Sequence, residues 1–140
     1  MIPRRPDWRL VALWAGALGL SFITRTWTLV SDATRALAGV PQVKPPVIER
    51  DNDHIFHQYT LRVERRDELQ AHLKAKGIGT AIYYPIPLHR QPCFAHLAYR
   101  SGSLPQTERA AREAISLPIY PELEPGQLEY VVDAVRGFYR

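Results

Sequence analysis

The 140-residue sequence contains a single cysteine, Cys93. One thiol excludes an internal disulfide and a zinc site built from several thiolates, and it fits a reducing compartment such as the cytoplasm. Proline and phenylalanine flank Cys93. We therefore predict that it packs as a small buried hydrophobe and has no chemical role.

The common catalytic motifs are missing from the sequence. It has no glycine-rich phosphate loop, no G-x-S-x-G, no H-E-x-x-H and no C-x-x-C. His54 and His57 lie three residues apart on a predicted strand, so their side chains point to opposite faces and cannot share one metal ion. The sequence therefore predicts no metal site.

No uncharged run is long enough to span a membrane. The apolar run Leu10 to Ile23 has 14 uncharged residues and follows three arginines, whereas a bilayer requires about 20 apolar residues. A basic start before a short apolar run is typical of a signal peptide, but no A-x-A cleavage site follows. We expect an irregular helix in a cytoplasmic protein, with export through residues 1–23 as the alternative.

Tryptophan and charge are unevenly distributed along the chain. Residues 1–30 hold all three tryptophans, four arginines and one acidic residue, and no lysine or glutamate. Residues 31–140 are almost balanced in charge, so they offer no basic patch for nucleic acid, although the net charge is +4. We interpret residues 1–30 as an atypical segment, joined through a frameshift or an internal start, and residues 31–140 as one domain.

Residue patterns predict short, alternating helices and strands. Helices are expected at Asp32–Ala38, Asp67–Lys76, around Phe94–Tyr99, from the Ser103-x-x-Gln106 capping box to Ile115, and from Pro125; strands are expected at Val43–Ile48 (edge strand or connector), His54–Val63, Ile78–Tyr84 and Leu117–Tyr120. This order indicates an α/β class, more narrowly an α+β two-layer sandwich with helices packed on a small sheet.

The segment with the clearest chemical potential is Tyr83-Tyr84-Pro85-Ile86-Pro87-Leu88-His89. A proline-stiffened loop that carries two phenols and an imidazole suits the binding of a polyol or a phosphate. The alternative is an ordinary strand end with half-buried tyrosines, and the pattern alone favours that alternative.

From about Ala36 to Tyr139 the chain closely resembles the C-terminal part of the DegT/DnrJ/StrS sugar aminotransferases, which use pyridoxal phosphate (PLP). The matching stretches are Leu37–Pro41, His54–Val63, Arg66–Leu69, Gly77–Ala81, Tyr84–His89 and Leu117–Leu123. The resemblance implies the small C-terminal domain of a type I aminotransferase. It also implies that Tyr84 and His89, with Tyr83 behind them, contact a nucleotide-linked sugar, and that His57 and Tyr59 are core or domain-interface groups.

The resemblance also shows what these residues do not provide. In the family, a lysine of the large domain holds PLP as a Schiff base. This sequence has only Lys44, which precedes two prolines, and Lys74 and Lys76 at a charged helix end. We therefore expect a truncated aminotransferase that binds no PLP alone and catalyses nothing alone. Its expected partners are a nucleotide sugar, bound weakly, and a large domain or a full-length subunit.

Two other functions remain open. The chain could be a non-catalytic module that binds sugar nucleotides or another subunit, or a small exported or membrane-surface protein.

Overall fold

The computed structural model describes residues 17–49, 54 and 56–140. Residues 1–16, which include half of the run that resembles a signal peptide, lie outside this part. Within the described residues, no helix combines the length and the apolar character needed to span a membrane.

The first helix, α1, extends from Ala17 to Leu37. It therefore begins well before the predicted helix Asp32–Ala38 and crosses residue 30, where the composition changes, without a break. Val30, Ala33 and Leu37 are buried at spacings of three and four residues, which place them on one face of the helix. The division into residues 1–30 and 31–140 remains a prediction.

A three-stranded antiparallel sheet lies at the centre of the fold. Its strands are β1 (Val43–Lys44), β2 (Tyr59–Val63) and β3 (Ala114–Leu117), with β2 in the middle. Leu61 lies opposite Ile115 in the register. Alternate residues of β2 are buried, as the period-two pattern predicted.

Three further helices complete the fold: α2 (Arg66–Ala75), α3 (Pro105–Glu113) and α4 (Pro125–Phe138). Helices α1, α2 and α4 share one apolar core with the sheet. Its fully buried members include Leu37, Leu61, Leu69, Leu73, Ile115 and Val135. The predicted α/β class, with helices packed on a small sheet, is thereby confirmed.

The strand predicted from His54 begins only at Tyr59. Phe56 takes a left-handed conformation, and its backbone N–H donates to His54 Nδ1 at 2.9 Å. The His54 side chain therefore accepts the backbone hydrogen bond that a neighbouring strand would otherwise accept. His57 is consequently exposed in a loop and is not a core residue, so for His57 only the domain-interface role stays a prediction, whereas Tyr59 is buried as expected.

The predicted strand Ile78–Tyr84 is reduced to one bridge between Ala81 and Ser116. Antiparallel pairing around this bridge would set Gly79 opposite Pro118, which has no N–H to donate. On the other side it would set Tyr83 opposite Ala114, where α3 has just ended. The ladder therefore cannot extend in either direction.

The two predicted elements around residue 115 are also shifted. Helix α3 begins at Pro105 without the capping box, because Ser103 Oγ accepts a hydrogen bond from the Arg100 N–H at 3.0 Å. The helix ends at Glu113, and β3 replaces the strand expected at Leu117–Tyr120.

The last helix begins at Pro125 as predicted. Its N-terminus has a capping box that the sequence analysis missed, in which Gln127 Oε1 accepts a hydrogen bond from the Glu124 N–H at 2.9 Å.

Candidate functional site

The segment from residue 83 to residue 104 connects the sheet edge to α3. Its only regular structure is two 3₁₀ helices, Leu88–Arg90 and Pro92–Leu97. Eight of the thirteen exposed large hydrophobic side chains of the described residues lie in it: Tyr83, Tyr84, Ile86, Leu88, Phe94, Leu97, Tyr99 and Leu104. Exposed apolar side chains concentrated in one segment indicate a candidate binding surface.

Tyr83 and Tyr84 lie side by side at the start of this segment. They are 52% and 66% exposed, and their ring centroids are 6.0 Å apart in an edge-on arrangement. Both line a pocket of about 240 Å³, here called the tyrosine pocket, whose other walls are Ile86, Pro87 and Leu88 of the loop and Thr107, Ala110, Ala111 and Ala114. Because α3 contributes Ala110 and Ala111 and β3 contributes Ala114, the two rings keep an open apolar space beside them.

The third predicted site residue, His89, points elsewhere. It is only 9% exposed and does not line the tyrosine pocket. Its Nε2 lies 3.2 Å from Glu108 Oε1, and its ring packs edge-on against Tyr99 at 5.7 Å. An ionised carboxylate only accepts hydrogen bonds, so the Nε2–H donates. The structure thus brings the two tyrosines together and places His89 apart from them.

Glu108 on α3 forms hydrogen bonds to two parts of the segment, at His89 and at Gly102. The sequence analysis missed this role. Besides His89, its two oxygens accept the Gly102 N–H at 2.8 and 3.0 Å. The hydrogen bond from His89 lowers the pKa of Glu108 below its ordinary value, and the bond from the Gly102 N–H adds to this against the opposing effect of desolvation. Gly102 has a φ of +84°, a conformation that favours glycine.

A second pocket, here called the arginine pocket, adjoins the tyrosine pocket. It measures about 320 Å³ and is lined by Pro85, Ile86, Pro87, Arg90, Glu108, Ala111 and Arg112. It shares Ile86, Pro87 and Ala111 with the tyrosine pocket. The two pockets therefore lie on either side of one ridge.

A larger groove lies elsewhere, between α1 and α4. Its volume is about 910 Å³, and both acidic and basic side chains surround an apolar floor that includes Leu29, Ala33, Leu128 and Val132. Charged side chains of both signs line this groove, and Arg25 pairs with Glu124 at 3.8 Å. We place the candidate site at the tyrosine and arginine pockets, because two of the predicted site residues, Tyr83 and Tyr84, line the first of them.

Two predictions about reactive side chains can be compared with the structure. Cys93 is exposed, so the prediction that it is buried is wrong; Pro92 starts a short surface 3₁₀ helix that has no buried residue. No group of three or more potential metal ligands converges within residues 17–49, 54 and 56–140.

Comparison with known proteins identifies the family. The profile of the DegT/DnrJ/EryC1/StrS aminotransferase family matches residues 21–136. The chain belongs to this family. The match begins within α1, ahead of the change in composition at residue 30.

Several relatives share extensive sequence with this chain. It is 46% identical over 112 residues to dTDP-3-amino-3,4,6-trideoxy-alpha-D-glucose transaminase of Streptomyces venezuelae, an alignment that covers 80% of this chain and 30% of the relative. It is 59% identical over 87 residues to the pleiotropic regulatory protein of Geobacillus stearothermophilus, covering 62% of this chain and 23% of the relative.

Solved structures of family members confirm the fold. The crystal structure of S. venezuelae DesV in complex with a ketimine intermediate superposes with a TM-score of 0.82 at 42% identity, over 94% of this chain and 34% of that one. A family member from Brucella abortus gives a TM-score of 0.76 at 32% identity, over 84% and 31% of the two chains. The chain thus spans about a third or less of the proteins it matches.

The lysines of this family member do not fit a PLP site. Lys44 lies on edge strand β1 opposite Arg62, and Lys74 and Lys76 lie at the end of α2. All three are exposed, and they are the only lysines in the sequence. A Schiff-base lysine requires a pocket that desolvates its amine and holds the cofactor, and none of these positions offers one.

Proposed function

We propose that the chain supplies the small domain of a PLP-dependent aminotransferase that acts on nucleotide-linked sugars, and that it does not transfer an amino group by itself. The chain's share of the reaction is to contact the sugar nucleotide, with Tyr83 and Tyr84 as the contacting groups. A lysine from outside these 140 residues must hold the cofactor.

The exposure of all three lysines carries this proposal. An amine in water at pH 7 is almost fully protonated, because the ordinary pKa of lysine is about 10.4, and a protonated amine is not a nucleophile. Burial or a neighbouring cation lowers the pKa of catalytic lysines. Lys44, Lys74 and Lys76 are all exposed, so none of them lies in a pocket that would hold PLP against its amine.

The role of the tyrosine pocket in sugar binding is supported by its composition. Aromatic rings beside a small apolar wall suit the flat faces of a sugar or a nucleobase, while phenol hydroxyls supply hydrogen bonds at low entropic cost. His89 has the same predicted role, but its Nε2–H is already bound to Glu108. We therefore assign His89 to the positioning of the loop.

Spectroscopy with PLP tests the proposal directly. The purified chain is mixed with PLP and an amino donor, and Schiff-base absorption and amino transfer to a nucleotide-linked keto-sugar are measured. We expect no stoichiometric Schiff base on the protein after free PLP and amino donor are removed, and no amino transfer, whereas a full-length S. venezuelae transaminase, assayed in parallel, gives both. Stoichiometric Schiff-base formation that disappears in one of the variants Lys44→Arg, Lys74→Arg or Lys76→Arg would refute the proposal.

A non-catalytic binding module is the second candidate function. The similarity to a relative named as a regulatory protein favours it. Titration of the chain with a full-length transaminase tests the subunit-binding form of this module, since binding favours the module and silence favours an inactive fragment.

The cellular location follows from the same proposal. A sugar aminotransferase domain is placed in the cytoplasm, and export through residues 1–23 is the alternative. Cell fractionation, with and without those residues, distinguishes the two.

A further inference from the structure

We propose that Arg90 and Arg112 form an anchor for the diphosphate of a nucleotide-linked sugar whose ring lies against Tyr83 and Tyr84. This inference rests on the proposed function and adds the group that recognises the anionic part of the substrate. Neither arginine belonged to the predicted site.

The side chains of Arg90 and Arg112 are unpaired in the part of the chain that the structure describes. Neither guanidinium forms an ion pair or a hydrogen bond with any residue in the described part of the chain. Other arginines close to α3 are paired with acidic residues: Arg62 and Arg109 with Glu113, Arg65 with Glu68, and Arg66 with Asp67. The arginine pocket thus contains two guanidinium groups that are available to bind an anion.

Glu108 is the acidic residue of the arginine pocket. Its carboxylate accepts hydrogen bonds from His89 and from the Gly102 N–H, so these two donors, and not the arginines, satisfy it. Two guanidinium groups against one carboxylate leave the arginine pocket with a net positive charge. An anion is therefore attracted to the side that Arg90 and Arg112 occupy.

The two pockets lie next to each other. The tyrosine and arginine pockets share Ile86, Pro87 and Ala111 as a common wall. A ligand that crosses this ridge can place a ring against the tyrosines and an anionic group between the arginines. The planar guanidinium matches phosphate oxygens with two parallel N–H donors. A nucleotide-linked sugar contains both parts in one molecule.

Titration calorimetry on the 140-residue chain at low salt tests the anchor. The probes are dTDP-glucose, inorganic pyrophosphate and thymidine. We expect Arg90→Gln and Arg112→Gln each to weaken dTDP-glucose binding about tenfold, the loss of one hydrogen-bonded charge, and to leave thymidine binding unchanged. Both side chains are exposed, so neither change should disturb folding, which circular dichroism checks.

Arg100→Gln is the matched control. Arg100 is exposed in the same segment and lines neither pocket, so its removal changes the net charge equally without touching the anchor. Its effect should be small. Added salt should weaken the wild-type interaction with dTDP-glucose and with pyrophosphate, because exposed charges are screened.

Several results would overturn the anchor. They are wild-type affinity in the Arg90→Gln and Arg112→Gln variants, an equal loss in Arg100→Gln, and no binding of dTDP-glucose or pyrophosphate to the wild-type chain. If only Tyr83→Ala and Tyr84→Ala weaken dTDP-glucose binding, the anchor is wrong and the proposed function stands. Failure of the proposed function is separate, since it appears as Schiff-base formation with PLP whatever the arginine variants do.

Discussion

His89 Nε2 lies 3.2 Å from Glu108 Oε1, and this contact turns the imidazole away from the pocket that Tyr83 and Tyr84 line. One hydrogen bond thereby joins the first 3₁₀ helix of the loop to α3. Tyr83, Tyr84 and Arg90 depend on this attachment for their positions, because the segment from residue 83 to residue 104 has little regular structure of its own.

The attachment predicts a local change in dynamics when Glu108 is removed. In Glu108→Ala the Gly102 N–H and the His89 Nε2–H both lose their acceptor, so residues 88–102 should open more often. Hydrogen–deuterium exchange should be faster in peptides from this range and unchanged in α4. The control is Glu129→Ala, an exposed residue of α4; unchanged exchange in both variants would contradict the linking role.

The lowered pKa of Glu108 predicts a dependence of stability on pH. The ordinary pKa is 4.5, and the folded value lies below it. The stabilisation is therefore complete above the unfolded pKa and is lost as the pH falls through the folded value. The melting temperature should fall more steeply below pH 4.5 in the wild type than in Glu108→Gln. Parallel curves for the two proteins would show that Glu108 does not contribute.

The raised pKa of Tyr139 predicts a second pH dependence, in alkaline solution. Burial raises it from 10 to about 12, and the negative charge of Glu64 adds to this. The unfolded chain ionises first, so this contribution to stability is full below pH 10 and declines as the pH rises through about 12. Burial also raises the pKa of Tyr59. Spectrophotometric titration should therefore detect more than one tyrosine that ionises late, and Tyr139→Phe should remove one of them.

The hydroxyl of Tyr139 also donates to the Glu64 carbonyl at the end of β2. Loss of this hydrogen bond in Tyr139→Phe should lower the free energy of unfolding by about 1 kcal/mol, measured by urea denaturation at neutral pH. Tyr120→Phe is a suitable control, because Tyr120 is exposed.

The core predicts the largest effect on stability. Leu61 is fully buried in the central strand, so Leu61→Ala removes apolar contacts and leaves a cavity. The expected loss is about 2–5 kcal/mol in the free energy of unfolding. Val47→Ala serves as the control, because Val47 is 84% exposed and surface substitutions usually change stability by less than about 0.5 kcal/mol.

Much of the fold could be predicted because its signals are local. Each of these signals lies within a single element: the apolar stripe of α4, the charged residues at the two ends of α2, and the alternation of buried and partly buried residues in β2. The errors occur where a distant or neighbouring group decides the outcome. Pro118 has no N–H that could pair with the extended chain before Tyr83. The Nδ1 atom of His54 accepts the hydrogen bond of the Phe56 N–H, so β2 does not extend back to His54.

The candidate site was only half predictable for the same reason. Tyr83 and Tyr84 could be identified from their own loop. The orientation of His89 depends on Glu108, which is 19 residues away. Arg90 and Arg112 line the same pocket, although the first belongs to the loop and the second to α3. The sequence of the loop alone does not predict this arrangement, which depends on the tertiary fold.

Helix α1 has a practical consequence for anyone who shortens this protein. The change in composition at residue 30 invites a cut there, yet Leu29 and Val30 are part of the shared core. A version that starts at Ser31 would lose both side chains and the preceding turns of the helix, and would expose the apolar side of α4. Such a protein should aggregate, and its behaviour would say little about the intact domain.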